Sequence, residues 1–196
     1  MRLLALLSIS FMTFNTVQAQ QKKEKNYPKV VVPIEIKSKR SLKESFEYIV
    51  PIDLEHIFNK PYKLIPSIDS TSNQEAWFYP GMKRTVHFSD GSSSEEELLS
   101  LSPSSGFTYK VSGFTSSLRM LIKQINGSWT FEEREDGRIH IAWTYEFVPK
   151  NFIARFLVKH IVRKQIRVPM ENALHIIKDE LESGKLYQYE RRVGSW

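Results

Sequence analysis

The chain contains no cysteine. That absence excludes disulfides, thiolate metal sites, a cysteine nucleophile and the acylated N-terminal cysteine of a lipoprotein. Glycine is scarce, with 8 in 196 residues, and none sits in a phosphate-cradling loop or a Gly-x-Ser-x-Gly elbow. The five histidines, His56, His87, His140, His160 and His175, show neither His-x-His nor His-Glu-x-x-His spacing. No metal, cofactor or catalytic residue is therefore assigned. Internal repeats are missing too, and no stretch reaches the roughly 20 apolar residues that a bilayer span requires. What remains is a chain long enough to bury one substantial core, with a hydrophobic content of 41% and an aromatic content of 12%.

The first residues read as a leader and not as fold. Met1-Arg2 precedes the apolar Leu3–Leu7 run, Ile9, Phe11 and Met12, and Val17-Gln18-Ala19 offers a small-residue cleavage site. Residues 1–19 are a predicted signal peptide; the competing reading is a retained N-terminal anchor, against which the apolar run is shorter than the roughly 20 residues of a span. A periplasmic or secreted mature protein follows. Residues 20–38 read as a polar linker or arm. Within it Val30–Ile36 looks extended, and Pro33 cannot donate to a ladder, so this piece is an edge strand or a tethered arm. The globular domain is placed at 39–184, with a tail at 185–196.

Inside that domain the dominant pattern has period two. Along residues 138–148, Ile139, Ile141, Trp143, Tyr145 and Phe147 share one face, and His140, Ala142, Thr144 and Glu146 the other. Such alternation means a sheet with one buried and one wet face. Further strands are read at 42–50, 76–79, 82–88, 97–101, 107–114 and 120–133. Turns fall at Pro80-Gly81, Asp90-Gly91, residues 102–106 and Glu135-Asp136-Gly137. A short helix through Leu54, Ile57 and Phe58 is capped by Asp53 and ended by Pro61. The last third is a long amphipathic helix from Asn151 to Gly184. Its stripe runs Ile153, Leu157, Ile161, Met170, Leu174, Ile177 and Leu181, and Pro169 predicts a kink or break. Segregated strands and helices make an α+β domain.

Several segments together resemble the START-like, helix-grip superfamily (SRPBCC), especially its polyketide cyclase/dehydrase-type branch. They are Tyr48–Phe58, Gly127-Ser128-Trp129-Thr130-Phe131-Glu132, Gly137–Lys150 and Pro169–Leu174. The resemblance spans residues 39–182. It implies a curved antiparallel sheet of six to seven strands wrapped around a long C-terminal helix, with a cavity for lipids, sterols, polyketides, quinones or hormones between them. It also implies an acidic residue soon after the central turn, a place for which Glu95, Glu96 and Glu97 compete.

On that architecture strand phase proposes a pocket lined by Trp77 or Phe78, Phe88, Tyr109, Trp129, Phe131, Trp143 and Tyr145, with Phe156 and His160 facing them from the helix. Aromatic walls with a few polar tips suit an apolar ligand. The competing reading is that these side chains fill a core. His160 reads either as a solvated helix histidine or as a base at a pocket mouth; His140 points away from the buried face.

The formal net charge of +6 concentrates beside this helix, in Lys150, Arg155, Lys159, Arg163, Lys164 and Arg167. A basic amphipathic helix attracts anionic lipid surfaces, although a solvated helix face has the same composition. Nucleic acid is a poor partner for an exported chain with no basic loop carrying base-stacking aromatics. Asn126-Gly127-Ser128 matches a glycosylation sequon, but it lies within a strand. Two functional classes follow: an exported carrier or sequestering protein for an apolar small molecule, or a small cyclase/dehydratase-type enzyme using the same cavity.

Overall fold

The computed structural model describes residues 26–50, 52–73 and 77–187. The expected signal peptide and most of the expected tail lie outside them. Seven strands carry the architecture: β1 (Lys29–Ile36), β2 (Ile68–Ser72), β3 (Lys83–Phe88), β4 (Ser93–Ser102), β5 (Gly106–Ser112), β6 (Ile122–Glu133) and β7 (Ile139–Pro149). They form one sheet in the order β1-β7-β6-β5-β4-β3-β2, every neighbouring pair antiparallel. Register breaks at Ile68/Ser70, Leu98/Ser100 and Ile122/Gln124 bend the strands that contain them. The C-terminal helix packs on the sheet, which is the helix-grip fold.

Two strand expectations need correction, and one open alternative is decided. Residues 29–36, read as an edge strand or a tethered arm, are β1, the edge strand that pairs with β7 from Lys29↔Glu146 to Ile36↔Ile139. Pro33 is tolerated there because an edge strand leaves one side of its ladder unpaired. Residues 42–50 are not a strand. They form the helix α1 (Leu42–Ile49), opened by a reciprocal capping box in which Ser41 and Glu44 bond each other's backbone N–H. Phe46 and Ile49 face inward at helical spacing, and Phe46 meets Phe131 of β6 edge-on at 5.0 Å. The second correction concerns residues 77–79 of the expected strand 76–79, which belong to a turn, while β2 lies upstream in a segment the alternation did not mark. The short helix α2 (Leu54–Ile57) is present, but the Asp53 side chain makes no capping hydrogen bond.

The closing helix runs without interruption through three segments: α-helical Phe152–Leu157, a π turn at Val158–Val162, and α-helical Arg163–Ser183. Asn151 caps its start through Ala154 N–H, and Gly184 ends it in the left-handed conformation. The α-helix continues through Pro169, so the expected break is absent there. The irregularity sits at the π turn, two turns earlier. A π turn holds about one extra residue, which rotates everything before it by about 100° relative to the rest of the helix. The effect on the stripe is direct. Met170, Leu174, Ile177 and Leu181 are fully buried, but the buried residues in and ahead of the π turn are Val158 and Ala154. Phe152, Ile153 and Phe156 are turned outward instead.

Candidate functional site

Period-two alternation puts Phe107, Tyr109 and Val111 of β5, Ile125, Trp129 and Phe131 of β6, and Trp143 and Tyr145 of β7 on the inner face. Registry then stacks them. Trp129 lies opposite Trp143, with ring centroids 4.5 Å apart, and Phe107 stacks on Trp129 at 5.7 Å. Gly127 is the residue that makes the centre possible. It is the cross-strand partner of both Tyr109 and Tyr145, and a Cβ there would fall 2.3 Å from Tyr109 Cζ. The bare backbone gives the Tyr109 ring its place. Trp143 Nε1 donates to the Tyr109 hydroxyl at 2.9 Å.

Between this wall and the helices lies a cavity of about 670 Å³. That volume is within the range of about 300–1,000 Å³ typical of small-molecule sites. Its floor is the β5–β6–β7 aromatic face, with Val86 and Phe88 of β3 and Ser94 and Glu96 of β4 extending it. Ile49, Ile57 and Phe58 close one side; Ile161, Val162, Gln165 and Ile166 of the long helix close another. The turn at residues 63–66 and those at 90–92 and 114–118 complete the wall. Leu64, 78% exposed, belongs to the rim, and its N–H donates to Gln165 Oε1 at 3.3 Å across it.

The proposed pocket residues divide as follows. Trp77, Phe88, Tyr109, Trp129, Trp143 and Tyr145 line the cavity. Trp77 arrives there from a turn and not from a strand. Phe131 is buried but covered by Phe46 of α1, so it belongs to the core beside the cavity. Phe156 and His160 do not face the cavity. The extra residue of the π turn carries them to the outside, where their rings meet at 4.5 Å. No histidine is among the lining residues. His140 lies on the outer face against Glu35 at 2.7 Å, and His56 pairs with Glu180, to which Tyr48 also donates at 2.6 Å.

The main feature that strand phase left open is a polar one. Of the three consecutive glutamates, Glu95 and Glu97 point outward to Lys83 and Lys110, at 3.0 and 2.6 Å. Glu96 points inward and is buried against Arg84, whose Nε and Nη2 lie 2.8 and 2.6 Å from Glu96 Oε2. The Arg84 guanidinium sits over the Trp77 ring, 4.1 Å from its centroid. The indole nitrogen of Trp77 is buried without a hydrogen-bond partner among the described residues. Burial pushes the Tyr109 and Tyr145 phenols up, and the nearby charge of Glu96 adds to both shifts. Both therefore remain neutral hydroxyls at physiological pH. Among the described residues no group of His, Asp and Glu side chains could hold a metal ion.

No family model matches this chain, and no curated protein matches its sequence. Solved structures match its fold. Ginseng major latex-like protein 151 from Panax ginseng superposes with a TM-score of 0.59 at 16% identity, covering 79% of this chain and 97% of that one. Ara h 8.0201 gives a TM-score of 0.59 at 20% identity, covering 79% and 99%. The Aha1 dimer from Colwellia psychrerythraea gives 0.51 at 15% identity, covering 80% and 98%. At these identities the likeness establishes the helix-grip fold alone.

Proposed function

We propose that this protein binds an apolar small molecule, lipid-, quinone- or polyketide-like, in the cavity between sheet and helix, and acts as an exported carrier or sequestering protein. The observation that carries the reading is the cavity itself: about 670 Å³ of space walled mainly by aromatic and aliphatic side chains. A core built only for stability fills such space, because interiors pack as densely as organic crystals. Export rests on the leader-like residues 1–19. The test is mass spectrometry of small molecules extracted from natively purified protein. Wild-type protein is expected to carry a co-purifying apolar compound, and an Ile125→Trp variant that fills the cavity is expected to lose it. Equal yields from the two proteins, or no compound from either, would sink the reading.

A second reading, a cyclase/dehydratase-type enzyme of the polyketide cyclase branch, is favoured by Glu96, a carboxylate buried in the cavity wall. The carrier reading is preferred because Glu96 is committed to Arg84 and both neighbouring tyrosines stay neutral. Cavity groups poised to exchange protons near neutral pH are what acid–base catalysis requires.

The same proposal includes how cargo is reached. Phe152, Ile153 and Phe156 are 80, 58 and 63% exposed at the start of the long helix. Lys150, Arg155, Lys159, Arg163 and Lys164 lie on or beside the same helical stretch, Arg155 donating to the Asn26 carbonyl oxygen, while Arg167 is engaged with Glu171 at 3.3 Å. Exposed apolar side chains with cations along the same stretch suit an anionic bilayer surface, where each Lys or Arg contributes about 1 kcal/mol. Co-sedimentation is expected with vesicles of phosphatidylglycerol and phosphatidylcholine, and not with phosphatidylcholine alone. It should weaken with salt and in a Phe152→Ser/Phe156→Ser variant. Salt-independent binding, or equal binding by the variant, would remove the membrane from the proposal.

A further inference from the structure

We infer that Gly127 determines the size of ligand the cavity accepts, by letting the Tyr109 ring lie back against the bare backbone of β6. The inference rests on the cavity being a ligand site and names what limits entry to it. A space of about 670 Å³ holds on the order of twenty non-hydrogen atoms, if each takes about the 30 Å³ of a water molecule in the liquid. That is room for a fused-ring compound or one short chain.

Conformation does not require the glycine. Gly127 is not among the glycines with positive φ, so an ordinary residue could adopt its backbone. A glycine inside a strand weakens it, and commonly marks a place where another group approaches closely. Here that group is Tyr109, the cross-strand partner of Gly127 in β5. A Cβ on residue 127 would fall 2.3 Å from Tyr109 Cζ and 2.5 and 2.6 Å from its two Cε atoms. Three such similar distances mean that the methyl would enter through the face of the ring.

The neighbours of Tyr109 fix the direction in which the ring would have to move. Behind it stands the backbone of β6. Phe107 stacks beside it at 5.9 Å, and Trp77 and Tyr145 meet it edge-on, each at 6.1 Å. Trp143 Nε1 holds its hydroxyl. The remaining side is the cavity, whose wall Tyr109 already forms. A side chain at residue 127 therefore pushes the ring forward into the ligand space, and the depth of the aromatic floor depends on its absence.

The experiment measures binding of naphthalene, phenanthrene and chrysene, which grow by one fused ring at a time, to the purified full chain by equilibrium dialysis. The readout is the affinity of the largest ring system that the wild type binds, divided by that of naphthalene. This ratio cancels any change in folded fraction and any competition from a co-purifying compound. Gly127→Ala is expected to lower it about tenfold, in line with the usual penalty for forcing extra volume into a filled space. Gly127→Ala/Tyr109→Ala removes the displaced ring and should return the ratio to the wild-type value or above it. Tyr109→Ala alone should raise the ratio above wild type. An unchanged ratio in Gly127→Ala, no recovery in the double variant, or a wild type that binds naphthalene alone overturns the inference and leaves the ligand-binding reading standing. No binding by any of the three compounds overturns both. Should Gly127→Ala fail to fold, Tyr109→Ala decides alone, and an unchanged ratio there overturns the inference.

Discussion

Replacing Glu96 with alanine is expected to lower the unfolding free energy by about 3–5 kcal/mol, the usual cost of breaking a buried ion pair by removing one partner. The expectation follows from where the pair sits. Both Arg84 nitrogens converge on one Glu96 oxygen, at 2.8 and 2.6 Å, on the inner face of the sheet. At such distances, with an effective dielectric constant near 20, opposite charges attract by several kcal/mol, on the order of 4 at 4 Å. Removing the carboxylate keeps the desolvation of Arg84 and forfeits the attraction. The double variant Arg84→Met/Glu96→Leu removes both charges and keeps the volume, and should return to within about 1 kcal/mol of the wild type or exceed it. Urea unfolding of the three proteins measures this directly. A loss below about 1 kcal/mol for Glu96→Ala would mean that water reaches the pair. If the double variant is as stable as the wild type, the pair is not there for stability. Retention of two buried charges in a ligand cavity is then explained by what the cavity binds.

How much of this was legible in the sequence differs from element to element. The β6 and β7 strands announce themselves because each has one buried and one solvated face, and side-chain period two is then forced. That alternation puts Tyr109, Trp129, Trp143 and Tyr145 on one face, and all four line the cavity. Residues 42–50 satisfied two periods at once. Leu42, Phe46, Tyr48 and Val50 suggest a strand, yet Leu42, Phe46 and Ile49 fit a helix equally well. The deciding signal is the Ser41-x-x-Glu44 capping box, which only a helix start uses. Glu96 was ambiguous for a physical reason. Leu99 and Leu101 suggest one phase for β4 and Leu98 the opposite one, because the register shift between Leu98 and Ser100 changes phase within the strand. The π turn at Val158–Val162 is the hardest case. A stripe with 3.6-residue spacing can be drawn through all of residues 153–181, and nothing in it marks the inserted residue that turns Phe156 and His160 outward.

Trp143→Ala is expected to cost about 3–5 kcal/mol and to enlarge the cavity, whereas Trp143→Phe is expected to cost roughly 1 kcal/mol. Trp143 is the hub of the aromatic wall. It stacks on Trp129 at 4.5 Å, meets Tyr145 and Phe58 edge-on at 5.3 and 5.7 Å, and donates to Tyr109. Phenylalanine retains most of the ring contact and loses the N–H, so its cost is mainly one hydrogen bond. Alanine loses the contacts as well, and the wall cannot collapse to recover them. Tyr109 is fixed over Gly127, and Trp129 is held between Phe107 and the strand ladder. The new void therefore merges with the existing cavity and remains open. That gives the experiment a second readout. A ligand that binds only the folded protein stabilises it by about 2.7 kcal/mol at one hundred times its dissociation constant. A bulky apolar compound should therefore restore more of the melting temperature of Trp143→Ala than it adds to the wild type. If Trp143→Ala melts within about 1 kcal/mol of Trp143→Phe and no compound separates them, Trp143 is not part of a ligand wall.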